Sequence, residues 1–139
     1  MRTNEFKEYI QKESLNNVKM HEPATRSQSL QLIRNADVSI AFLNEEEVFT
    51  TVLPGKVLDY MTCQTPIIAG LKGVAADLII ENEAGYVYSS SDALPLIEKI
   101  VELRENRQLL NKLQKNCLRV IKQHFLWENN IKKIVDFIK

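Results

Sequence analysis

The stretch Phe49 to Met61, FTTVLPGKVLDYM, holds the side chains whose types and spacing best suit chemistry. Thr50 and Thr51 bring two hydroxyls, Val52 and Leu53 follow, and Pro54 suits the first turn of a helix. A helix starting there leaves backbone N–H groups without intrahelical acceptors, at the positive end of its dipole, which favours a phosphate. Lys56 adds a charge near that end, and the carboxylate of Asp59, one turn along, can accept hydrogen bonds from two hydroxyls of a ribose. Plainer readings stand beside these. Asp59 and Lys56 can form an i,i+3 pair on a solvated face, and the two threonines can cap a helix with or without touching a ligand.

Such a turn must be held by a scaffold, and apolar spacing supplies one. Short β-rich runs alternate with helical periodicities, as in a parallel sheet with helices on its faces, so the fold class is α/β. Residues 4 to 14 predict a helix, Asn16-Asn17 a turn, and Val18 to His21 a first strand. Thr25 with Gln28 predicts a capping box and a helix to about Asn35, with Leu30, Leu32 and Ile33 as its apolar stripe. VSIAFL at Val38 to Leu43 and PIIAG at Pro66 to Gly70 read as strands covered on both faces. Between them lie an acidic loop, Asn44 to Glu47, and the helix from Pro54, with Val57, Leu58 and Met61 facing the core.

Beyond the second of these strands a helix is expected from Val74 to Glu81, a small strand at Tyr86-Val87, and a loop with capping residues at Ser89 to Asp92. From Ala93 the pattern is helical almost to the end. Leu94, Ile97 and Val101 form one stripe, and Leu110, Leu113, Cys117 and Val120 form another. The last helix carries Trp127, Ile131, Ile134 and Ile138, either as core or as an interface. Parallel sheets bind ligands beyond the C-terminal ends of their strands. The candidate loops are therefore His21 to Pro23, Glu45 to Thr51, and Gly70 to Gly73.

Composition narrows the function classes. With 139 residues, 45% hydrophobic and 26% charged, the chain suits one soluble domain rather than a disordered tract. Eighteen basic side chains balance eighteen acidic ones, so no long-range field selects nucleic acid or an anionic membrane. Cys63 and Cys117 lack CxxC pairing, and His21 and His124 lack ligand spacing, so neither disulfide framework nor metal site is indicated and a reducing cytosol fits. Cys63 reads as a small buried hydrophobe and His21 as a loop histidine, with contact to a base as its functional alternative. The N-terminus has no apolar leader, and no run approaches the roughly 20 apolar residues of a membrane span.

Taken in order along the chain, several short motifs resemble the retaining glycosyltransferases of family 4. These are Ala36-Asp37 before a strand, Asp59-Tyr60-Met61 in a helix, and Thr62-Cys63-Gln64-Thr65-Pro66 before the next strand. Gly73, Ala84-Gly85-Tyr86-Val87, Asp92 and Phe125-Leu126-Trp127 continue in register. Pro54, Lys56 and Asp59-Tyr60-Met61 resemble the P-x-K-x-x-E-Y-M variant of bacterial enzymes that build capsule and lipopolysaccharide repeat units. Asp59 stands where the family's E-x7-E pattern has its second, ribose-binding acid, and Thr51 stands at the first acidic position. Gln64 replaces a glycine that usually follows this helix, a substitution strained wherever φ is positive.

The resemblance implies a Rossmann-like half of a GT-B fold, with about four parallel strands, spanning residues 1–139 as the nucleotide-sugar-binding C-terminal lobe. Neither that lobe's first strand-helix segment, with its basic diphosphate clamp, nor the N-terminal acceptor lobe matches anything here. It further implies a cytoplasmic transferase, peripheral on the inner face of the membrane when complete. The donor would be a nucleotide diphosphate sugar, more readily UDP-linked than otherwise. Donor binding would fall to Asp59, Thr50, Thr51, Val52, Leu53 and Lys56, and the nucleobase would lie against His21, Glu22 and Pro23. No catalytic side chain, metal or tightly bound cofactor is expected. Present as a donor-binding fragment, the chain is expected to be inactive alone, with a homo-oligomer through the last helix as a further partner reading; the rival readings are a donor-binding subunit that needs an acceptor-lobe or membrane-associated partner, and a non-catalytic α/β module or gene fragment.

Overall fold

Ile67-Ile68-Ala69 runs apolar without alternation, and the reason is its place at the centre of the sheet. The computed structural model describes residues 3–43, 47–88 and 93–138. Within them β1 (Ser39–Phe42), β2 (Ile67–Gly70) and β3 (Gly85–Val87) form a parallel sheet in the order β1-β2-β3. Ser39 pairs with Ile67, and Ile67 with Gly85. Ile67 and Ala69 join one buried cluster with Ala41, Val57, Met61 and Ile79, while Ile68 joins another with Leu103, Leu110 and Leu113. Successive side chains of β2 thus enter opposite faces, both covered.

Helices link the strands and cover β2 on both faces, but the double cover expected for Val38 to Leu43 fails at the edge strand β1, where Ile40 and Phe42 are exposed. After α1 (Thr3–Lys12) and α2 (Arg26–Arg34), α3 (Gly55–Thr62) joins β1 to β2, and α4 (Val74–Glu81) joins β2 to β3. The expected capping box is present: Thr25 Oγ1 accepts from the Gln28 amide, and the Thr25 amide donates to Gln28 Oε1 at 2.9 Å. Then follow α5 (Leu94–Glu105), α6 (Arg107–Val120), a wide π-helical turn at Ile121–Phe125, and α7 (Trp127–Ile138). Asn106 divides α5 from α6, its side chain accepting from the Leu109 amide at 3.0 Å. Cys117, buried on α6, has its thiol pushed up to about 12 by desolvation, so it packs as a hydrophobe.

Three helices end alike, and none uses glycine for it. After α1, α3 and α4 a Schellman turn closes on Ser14, Gln64 and Glu83, all at positive φ. For α3 the Thr65 amide donates to Tyr60 O and the Gln64 amide to Met61 O, both at 3.0 Å. The strain anticipated at Gln64 is therefore real: its φ is 58°, a region where a Cβ costs about 1 kcal/mol. Gln64 is exposed, so the Gln64→Gly variant loses no packing. It should raise Tm by about 2–4 °C in thermal denaturation, and a fall would show that the side chain contributes more than its strain.

Several expectations need correction. The sheet has three strands among the described residues, close to the about four expected, but the run from Val18 to His21 is not a strand: it is coil with Val18 and Met20 exposed. A strand forms only where a neighbour takes its backbone groups, and neither α1 nor α2 holds a buried residue that would fix this segment against the core. On α5 the buried stripe is Leu103 with Leu96 and Ile100 partly covered, whereas Leu94, Ile97 and Val101 face out. Apolar residues lie on two sides of α5, and periodicity alone cannot select between them. On α7 no residue is buried, with Trp127 68% and Phe137 91% exposed, which excludes the core alternative for that stripe. The loop Ser89 to Asp92, and Asn44 to Glu46 of the acidic loop, lie outside the described residues.

Candidate functional site

Because α3 and α4 each follow a strand of a parallel sheet, both N-termini open at the sheet's C-terminal end. Neither start is closed by a side chain: Pro54 is the N-cap of α3 and Gly73 of α4, without a side-chain cap bond at either. Two sets of backbone N–H groups and two positive dipole ends therefore open on the same edge of the sheet, a place suited to an anion. The connecting loops touch. Gly73 sits at φ 63°, ψ −145°, and a Cβ there would overlap the carbonyl of Thr50. Only glycine lets the β2–α4 turn press against the turn of 3-10 helix at Glu47–Thr50.

The expected donor-binding loop lies on that rim. Thr50 Oγ1 donates to Glu47 O at 2.7 Å, and Thr51 Oγ1 to Val48 O at 3.2 Å. Both hydroxyl protons are thus committed to the local turn, leaving oxygen lone pairs for anything outside. Val52 is exposed, Leu53 packs against the core beneath it, and Lys56 is exposed in the first turn of α3. Leu53 anchors the loop to the core.

Asp59 is met by a residue that the sequence pattern does not single out. Arg26, the first residue of α2, donates Nη2 to Asp59 Oδ1 at 2.7 Å and Nη1 to Asp59 Oδ2 at 3.2 Å. The guanidinium fork spans both carboxylate oxygens, displacing the Lys56 pairing that spacing alone suggested. Arg26 is 74% exposed at its side chain and Asp59 26%, so the pair sits at the surface rather than in the core. Two buried donors hold α2 in place for it: Thr65 Oγ1 donates to Ile33 O at 3.0 Å, and Cys63 Sγ to Leu30 O at 3.5 Å. A local clue existed, since arginine at the first position of a helix opposes the dipole unless an anion faces it. Beside the pair, burial raises the Tyr60 phenol above its ordinary range, and the Asp59 charge adds to this. Its hydroxyl points to Ile40 O at 3.5 Å.

Comparison with known proteins decides the family. The family model described as "Glycosyl transferases group 1" matches residues 2–119. This chain belongs to the group 1 glycosyl transferases. No curated protein and no solved structure gives a significant match.

For a glycosyl transferase the placement of the nucleobase candidates matters most. His21, Glu22 and Pro23 line a groove of about 520 Å³ together with Gln28, Gln31 and Asn35 of α2. At about 100° per residue these three α2 positions lie opposite Leu30 and Ile33, the side held to α3. The structure therefore does not bring His21, Glu22 and Pro23 into one cavity with Asp59, and α2 stands between them. Glu22 instead lies 3.6 Å from Lys7 of α1. The aspartate of the family's Ala36-Asp37 motif has a structural partner too, Arg107 at the start of α6, at 2.6 Å. Among the described residues no group of three or more His, Cys, Asp or Glu could hold a metal ion, and no helix is long and apolar enough to cross a membrane.

Proposed function

We propose that this glycosyl transferase chain is a donor-binding lobe that grips a nucleotide diphosphate sugar at the α3–α4 crevice. The observation that carries the proposal is that two helix starts, uncapped by side chains, open on the same edge of the sheet, with a carboxylate one turn inside α3. The amides around Thr50 to Leu53, with Lys56, would face the diphosphate, and Asp59 would receive the ribose hydroxyls. Transfer would proceed with retention and without a metal. The helix ends would stabilise charge on the departing diphosphate, an electrostatic contribution that grows as water is excluded. We assign a UDP-linked hexose or N-acetylhexosamine as donor and a polysaccharide or lipid-linked acceptor, following the motif resemblance. His21, Glu22 and Pro23 remain the base-side candidates only if the groove beside α2 is reached from the crevice.

Support for a partnered lobe, whether one acceptor-binding chain or a second copy, comes from α7, none of whose residues is buried. The test is calorimetric titration of the chain with UDP, GDP and their sugar conjugates. Saturable binding to one site is expected, with a dissociation constant of about 10 μM to 1 mM, in the usual range of enzyme substrates. A flat response to every nucleotide would leave an inert α/β module as the surviving reading.

A further inference from the structure

We propose that Arg26 is an affinity-determining residue of the donor site: it pairs with the Asp59 carboxylate and must leave when a ribose binds. The inference rests on the assignment of Asp59 as ribose acceptor and adds a competitor to it. The grounds are geometric. Both guanidinium nitrogens reach separate carboxylate oxygens, at 2.7 and 3.2 Å, so the fork approaches along the direction that two vicinal hydroxyls require. A ribose hydroxyl pair approaching along that direction therefore competes with the guanidinium for the same lone pairs. The unequal exposure of the partners sets what happens next. Arg26, 74% exposed at its side chain, swings into water on a long stem, while Asp59, 26% exposed, stays on the rigid α3. Removing the arginine does not free α2, because Thr65 and Cys63 hold its carbonyls independently and the Thr25–Gln28 capping box is intact without it.

An ion pair of this exposure is weak and screened by salt, so the competition is modest and tunable. The experiment is UDP titration of wild type, Arg26→Gln, Asp59→Ala and the double variant, each in about 50 mM and about 500 mM NaCl. Arg26→Gln is expected to bind UDP about twofold to fivefold more tightly than wild type at low salt, with the gain shrinking at high salt and absent from the Asp59→Ala background. A pair that merely ties α2 to α3 would give equal or weaker binding on removal. If Arg26→Gln binds no more tightly while Asp59→Ala still weakens binding, the competition is overturned and the ribose assignment stands. A gain that persists without Asp59 also overturns it. If no variant binds UDP or GDP, both the ribose assignment and the competition fall together.

Discussion

Asp59→Ala should lower UDP affinity about 100-fold while leaving the melting temperature within a few degrees of wild type. Two ribose hydroxyls donating to a carboxylate make charge-assisted hydrogen bonds, each worth about 1.5–3 kcal/mol. Displacing the Arg26 fork offsets up to about 1 kcal/mol of that, as an exposed pair does. A net loss of about 2.8 kcal/mol corresponds to two decades in the dissociation constant. Stability should barely respond, because Asp59 faces the rim and the core beneath α3 is carried by the buried Val57 and Met61. Asp59→Asn, which keeps one acceptor oxygen and the side-chain volume but no charge, should fall between wild type and alanine. Asp59→Glu restores the charge with one more methylene of reach, and should bind within tenfold of wild type. Equal UDP affinity in wild type and Asp59→Ala, measured by calorimetry, would remove this carboxylate from the site.

How much of this was legible in the sequence depends on the range of the interaction involved. The capping box at Thr25 and Gln28, the bounds of α4 and the doubly covered β2 follow from residues a few positions apart, and they are found where spacing puts them. The positive φ of Gln64 was legible too, since a Schellman turn at the end of α3 demands it whatever residue is present. Longer-range features escaped. Arg26 and Asp59 are 33 positions apart, and only the docking of α2 on α3 makes them neighbours. The segment from Val18 to His21 has a strand's composition, but composition does not supply a neighbouring edge. On α5 the helical period was right and its phase was not, because the sheet rather than the helix chooses which of two apolar sides to cover. For the candidate site this division means that the helix start after Pro54 could be placed from sequence, and the pairing of Asp59 with Arg26 could not.

Gly73→Ala should be strongly destabilising, and Gly55→Ala, at the other helix start, should be harmless. At Gly73 the added Cβ would overlap the Thr50 carbonyl, and the backbone dihedrals of 63° and −145° are open to glycine alone. Dihedral strain costs about 1–3 kcal/mol and the forced displacement about as much again, a sum of about 4 kcal/mol against a total stability of about 5–15. Thermal denaturation should show Tm falling by about 10 °C or more. Relief can come only from moving the turn at Glu47–Thr50 or the start of α4, and both line the proposed diphosphate site. UDP binding should therefore disappear at temperatures where circular dichroism still reports a folded chain. At Gly55, the first residue of α3, nothing lies within 4 Å of an added Cβ. Alanine there favours the helix by up to about 1 kcal/mol, keeps the amide N–H, and should leave UDP binding intact. If Gly73→Ala binds UDP as wild type does, the contact between the two loops does not shape the site, and the amides that hold the diphosphate must be sought elsewhere on the sheet's C-terminal edge.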